Sequence, residues 1–418
     1  MIDKISFIKF IVLASLGPPL YFCFNPGEII IPILLTMYPS LLLVLILIFT
    51  EKFSLMDEKK TVLIFVLYGA FTYARGFYDA KSFQDWTNLL SISVSTFIFL
   101  PLTIYLGAHK KFVGPLIRNL LIAIPMIFIL TLGRNDSGPY GFVKTLSATF
   151  PFLLMFPYLN KKLKVFIVLI LFLIVGYDIT IRASLMYGFI IILSLSTYYI
   201  KSNVMLVLFK ILRKAFLFLP LLFVFLGATG TFNVFNFGEK FDSIELANEE
   251  KDQKQDLLVD SRTEIYIDVH TALLYQNRVL FGLGGVGKTK TFLTKDKVNQ
   301  KYRKLYEEGR RGTETRMLNY YQWGGVLGVL LYFLLILRAS YLAIYRSKNW
   351  YMITLGLFVS FGLLMSFLSD RVVNNLNTLS SFFMLGMCFN SELRAMNERE
   401  IKAYLRINLK GFSLKKKI

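Results

Sequence analysis

The chain has 418 residues, 55% of them hydrophobic with 40 Phe, and carries a formal net charge of +20. So much apolar surface exceeds what the polar residues of a soluble domain of this length could cover, which excludes a globular cytosolic protein and implies an integral membrane protein. With 2 Cys and 2 His, neither a disulfide framework nor a metal site built on Cys or His is expected.

A spanning helix needs about 20 mostly apolar residues, because it must satisfy its own backbone in hydrocarbon. Such stretches lie near 5–24, 29–50, 60–76, 87–107, 113–133, 144–159, 163–181, 183–200, 214–230, 318–341, 351–369 and 375–391. The first is interrupted by Gly17-Pro18-Pro19 and lacks a small-residue cleavage site, so it reads as a span rather than a signal peptide. Short loops join spans one to nine and make neighbours antiparallel. Lys201 to Lys214 reads as a short amphipathic helix leading into span nine.

Charge orders these spans. With the N-terminus in the cytoplasm, the inner loops receive Lys52, Lys59, Lys60, Lys110, Lys111, Lys161, Lys162, Lys164, Lys201, Lys210, Arg213, Lys214, Arg346 and Lys348. The tail adds Arg394, Arg399, Lys402, Arg406, Lys410 and Lys415 to Lys417, while the outer loops carry scattered single charges. This positive-inside pattern accounts for the net charge without nucleic acid and puts both termini inside. Apolar Leu393, Met396, Ile401 and Leu405 suit a tail helix resting on the inner leaflet, which makes membrane lipid a partner. Arg118 falls inside span five, where a charge is costly unless partnered.

One polar insert interrupts the spans, dividing the chain into 1–227 with nine helices, the insert 228–317, 318–391 with three more helices, and the basic tail 392–418. Residues 239–260 are acidic and Gln-rich, and 295–312 are strongly basic. Between them, 261–281 show helical periodicity, with Ile265, Val269, Ala272 and Leu273 on one face. The stretch from Gly282 to Thr289 fits the phosphate-loop pattern GxxxxGK[ST]. That loop works between a parallel strand and a helix of an α/β sheet, which a tethered insert this size cannot house. A glycine turn after a helix is the plainer reading, with its N–H groups, Lys288 and Lys290 able to touch a lipid diphosphate.

Where the chain returns to the membrane, Glu314-Thr315 is followed by Gly325 and Gly328, and upstream stand an Arg262-led helix ending in Gly282-Leu283-Gly284 and the tripeptide Ile181-Arg182-Ala183. In these motifs and in its topology the chain resembles the O-antigen ligase and polymerase superfamily. That family has about twelve spans, one large periplasmic loop before the tenth, a His-led motif at this position and a Ser-Arg dipeptide where Ile181-Arg182 stands. Glu314 replaces the His, which favours the polymerase branch, the Wzy type.

The resemblance implies an all-α polytopic bundle of the bacterial inner membrane with a partly helical periplasmic loop. It implies polymerisation of undecaprenyl-diphosphate-linked oligosaccharides, with no cofactor and no metal, and a chain-length regulator as a candidate partner. In that frame Glu314 is the general base, set against an ordinary acidic residue near a helix start. Arg182, Arg262 and Arg316 bind the diphosphate, with a structural Asp178–Arg182 pair as the alternative for Arg182. Arg310 and Arg311 read as a solvated or headgroup-facing pair, and Tyr320, Tyr321 and Trp323 as an interfacial aromatic belt or a sugar platform. His270 is a weak substitute for the base. A ligase and a lipid-linked-oligosaccharide flippase remain alternatives, the second disfavoured by the large insert.

Overall fold

The structure, a computed structural model, describes residues 30–50, 56–119, 150–159, 161–176, 182–200, 202–232, 234, 245–246, 255–256, 262–289, 309–313, 315–368 and 376–409. The span expected near 5–24 and most of that near 113–133 lie outside them. Among the described residues, five helices are long and apolar enough to cross a membrane: Lys59–Asp79, Phe83–Ala108, Asn203–Ala228, Arg316–Tyr345 and Trp350–Leu368. Shorter apolar helices cover Tyr38–Thr50, Leu163–Phe172, Leu185–Ser196 and Asn377–Phe389. Among the described residues, extended pairing is limited to Glu245–Leu246 against Gln255–Asp256 and two isolated bridges. The chain is therefore a helical membrane protein.

Most boundaries fall within a few residues of those expected from hydropathy. The span expected near 144–159 is represented among the described residues only by the short turns Phe150–Leu153 and Phe156–Tyr158, and two further elements depart. The short amphipathic helix expected over 201–214 and span nine form one helix, Asn203–Ala228, started by the Ser202 side chain accepting from Met205 N–H. Pro220 sits inside without ending it. Arg213 can lie in this helix because its guanidinium is buried against the neighbouring one: Nε donates to Ser340 Oγ at 2.9 Å and an Nη to the Leu337 carbonyl at 2.8 Å. It also lies over the rings of Tyr341 and Tyr345. The second departure, in Arg316–Tyr345, shapes the candidate site.

Lipid offers no hydrophobic drive for helices to associate, so close backbone approach does the work. The Leu376–Phe389 helix packs on Leu100–Ala108 so tightly that a Cβ on Gly107 would lie 2.1 Å from the Phe383 carbonyl oxygen, and one on Gly386 2.0 Å from that of Ile104. Arg118, expected inside a span, is exposed on the bundle surface.

The basic loops gather at one end of the bundle. Met56 pairs with Asn390 and Asp57 N–H donates to the Phe389 carbonyl, while Arg394 forms an ion pair with Asp57. The tail helix Glu398–Leu409 closes this end: Glu398 accepts from Tyr158 OH at 3.0 Å and from Trp350 N–H at 2.6 Å, and Tyr404 OH donates to the Lys110 carbonyl at 2.6 Å. Leu393, Ile401 and Leu405 are buried against protein, which corrects the expectation that they rest on lipid. The insert contacts the opposite end.

Candidate functional site

Arg316–Tyr345 is broken at Gly325, whose φ of 62° and ψ of −160° take the chain out of helical conformation. A break inside a membrane helix exposes carbonyls on one side and N–H groups on the other, which must be bonded within the protein. Residues 279–284 of the insert supply those partners. Leu283 and Gly284 N–H donate to the carbonyls of Gln322 and Trp323 at 2.8 and 2.9 Å, and the carbonyls of Val279 and Leu280 accept from Val326 and Leu327 N–H at 2.9 and 3.2 Å. Glycine is required on both sides of this contact. A Cβ on Gly325 would lie 2.4 Å from the Leu280 carbonyl oxygen, and one on Gly282 2.4 Å from the Trp323 carbonyl.

The break turns the chain sharply back. Tyr320 and Tyr332 would be ~18 Å apart along a straight helix, yet their rings stack at 4.6 Å. The span expected over 318–341 therefore begins only after Gly325, and Arg316–Gly324 folds back along it. Tyr320 and Trp323 are buried, Trp323 edge-on to Phe97 with Nε1 donating to the Arg311 carbonyl. They form neither an aromatic belt nor an open sugar platform.

The Arg262–Tyr275 helix packs on this fold-back through the face expected from its periodicity: Ile265, Val269, Ala272 and Leu273 are all buried, against Leu283 and Leu318 among others. Tyr266 OH donates to the Phe367 carbonyl at 2.9 Å and lies 3.3 Å from Thr315 Oγ1; burial pushes its pKa up, so it stays protonated. Asn319 fixes the start of the fold-back, accepting from Thr313 N–H and donating to the Thr313 carbonyl at 3.0 Å. His270 hydrogen-bonds Tyr321 OH at 2.7 Å on the exposed side and faces no cleft described here.

Of the residues expected to act, Arg316 is the best defined. It is 4% exposed, its Nη lies 3.4 Å from Tyr332 OH, and it lines a narrow open cleft with a cavity volume of about 30 Å³. Tyr187, Tyr332, Asn377 and Ser381 add hydroxyl and amide groups to a wall otherwise made mainly of apolar residues such as Phe358 and Met384. Arg262 is partly buried one turn before Tyr266. Arg182 opens the Arg182–Ile200 helix that carries Tyr187 to the cleft, but its side chain lies outside the described residues, as do Glu314 and Asp178. Both chain neighbours of Glu314, Thr313 and Thr315, are buried. The sequence reading missed Tyr332, Asn377 and Ser381. Asn377 and Ser381 stand four residues apart in an apolar span, the spacing of one helix face, and that was the available signal.

The glycine turn is no phosphate loop, nor a cradle for a diphosphate. Its N–H groups are engaged: Gly285 donates to the Thr72 carbonyl at 3.2 Å and Gly287 to the Gly284 carbonyl at 3.2 Å, alongside Leu283 and Gly284 above. Lys288 pairs with Asp85 at 3.0 Å, and so does Arg311, which corrects its expected place on a solvated face. Asp85 is buried, and its Ser82 capping box opens the Phe83–Ala108 helix. That helix contains two π-helical turns, Leu89–Ser93 and Ser95–Phe99; wide turns of this kind redirect side chains. Ser93 from the first donates to the Gly285 carbonyl at 2.6 Å. Among the described residues, no three His, Cys, Asp or Glu side chains gather as a metal site would require.

Compared with known proteins, the chain matches no family model, no curated protein and no solved structure.

Proposed function

We propose that this chain is a polysaccharide polymerase of the O-antigen ligase and polymerase type, acting on undecaprenyl-diphosphate-linked oligosaccharides in the bacterial inner membrane. The positive-inside rule assigns the basic end to the cytoplasm and the insert-bearing end to the periplasm. The observation that carries the reading is Arg316: a permanently charged fork, buried, that borders a cleft between the membrane helices together with Tyr332 and Asn377.

In the proposed reaction a sugar hydroxyl of one lipid-linked unit attacks the anomeric carbon of the growing chain. A new glycosidic bond forms, the bond to the carrier diphosphate breaks, and Glu314 takes the hydroxyl proton. Negative charge grows on the departing diphosphate, and a guanidinium in a low-dielectric cleft stabilises that charge more than water would. Arg316 has this role, with Arg182 and Arg262 as further diphosphate ligands. Tyr332 and Asn377 supply neutral donors that orient the donor head. The sugar–diphosphate bond is already activated, so the reaction draws on no nucleotide or redox cofactor.

Deleting the gene in a strain that makes long-chain surface polysaccharide should leave single repeat units on the acceptor lipid. Long polymer stranded on its carrier would indicate a ligase, and units trapped in the inner leaflet a flippase. Within the polymerase reading, Arg316→Gln should lower polymer formation about 100-fold or more at unchanged protein level. Glu314→Gln should abolish elongation, and wild-type chain lengths in either variant would remove that residue from the mechanism.

A further inference from the structure

The seam between the Lys59–Asp79 helix and residues 278–282 has a feature that polymerisation does not require. Phe71 and Phe281 meet edge to face at 6.2 Å, yet both rings are more than two-fifths exposed, as are Leu67 one turn below and Leu280 beside Phe281. Leu67 and Phe71 share one face of a helix apolar enough to cross the membrane. Leu280 and Phe281 belong to the insert, but the Leu280 carbonyl accepts from Leu327 N–H at the break and the Phe281 carbonyl accepts from Arg75, which holds both beside the start of the span after Gly325. Together they make one continuous apolar strip on the lipid side.

Two arginines head this strip. Arg75 is four residues beyond Phe71 on the same face; it lies over the Phe71 ring and donates to the carbonyls of Phe281 and Gly282 at 2.5 and 2.7 Å. Arg278 is exposed and close enough for the two guanidinium groups to repel, and the Asp79 carboxylate also acts on Arg75. Asp85, also at this end, is engaged with Lys288 and Arg311. Two guanidinium groups thus stand at the head of this apolar strip.

We propose that this seam binds a phospholipid of the surrounding bilayer, with its phosphate between Arg75 and Arg278 and a chain along Phe281, Phe71 and Leu67. A phosphodiester carries the charge that two neighbouring guanidinium groups attract, and guanidinium forks match its oxygens. The bound lipid fastens the insert to the helix it is threaded against. This site stands apart from the polymerase reading and would be present whatever the chain catalyses.

The test is thermal unfolding of the purified full chain in a neutral detergent, with added phosphatidylglycerol, diacylglycerol or inorganic phosphate. Phosphatidylglycerol should raise Tm by several degrees while the other two have little effect, and Arg278→Gln should remove most of that rise. Arg278 is exposed, so its replacement leaves the fold intact; Phe281→Ser, which shortens the strip, should halve the rise. An equal rise with diacylglycerol, an equal rise with phosphate alone, no rise at all, or an undiminished rise in Arg278→Gln would each overturn the proposal.

Discussion

The two ends of the bundle handle buried polarity in opposite ways. At the basic end, polar groups close helix ends and lock the tail: Asn349 Nδ2 donates to the carbonyls of Leu393 and Met396, Glu398 receives Tyr158 and Trp350, and buried Arg213 is matched by a hydroxyl, a carbonyl and two aromatic rings. At the insert-bearing end a helix is broken, foreign backbone fills the gap, and buried Arg316 faces a cleft. A broken membrane helix is tolerated where protein re-satisfies its backbone, and such breaks accompany binding sites near them. The contrast is between an arginine held inside a closed helix interface and one that borders an open cleft.

The comparison breaks most readily at Gly325. An alanine there must adopt a φ of 62° with its Cβ 2.4 Å from the Leu280 carbonyl oxygen. Gly325→Ala should cost about 3 kcal/mol or more, read as loss of a monodisperse folded peak in detergent. A normal peak and Tm would mean that the insert is not threaded into the break.

Arg213→Met should cost about 1–2 kcal/mol from lost hydrogen bonds and cation–π contact, while polymer length stays wild type. A polymerisation defect as deep as that of Arg316→Gln would erase the distinction between the two arginines. Asp85→Asn comes last, because Lys288 and Arg311 remain partly exposed and solvent screens the pairs. Its cost should be about 1 kcal/mol, detected as faster trypsin cleavage after Lys288 and Arg311 with little change in Tm. Unchanged cleavage would show that the Thr289–Arg310 bridge and the Gln322 bonds hold these strands without Asp85.

Much of the helix layout was legible because hydrocarbon demands a long apolar run with internal backbone bonds, and such runs stand out in sequence. The Ile265–Leu273 face was legible for a related reason, since burial on one side of a helix leaves a 3.6-residue rhythm. The break at Gly325 was not, because its glycines suit a turn, a phosphate loop or close packing equally well. Nor was the fate of the tail: Leu393, Ile401 and Leu405 satisfy lipid and protein alike, and only the presence of the Tyr158 and Lys110 loops beneath them decides between the two.

The amino-acid order therefore determined that the chain lives in a membrane, where most of its described helices lie and which loops share the basic end, since each follows from local hydropathy and charge. Tertiary structure decided that the glycine turn completes a broken helix, that Lys288 and Arg311 converge on Asp85, and that Arg316 meets Tyr332 beside a cleft. Those outcomes depend on partners far away in the chain, such as Gln322 for Leu283 and Asp85 for Arg311. A residue's type limits which bonds it can make, but only the packed fold selects the one it makes.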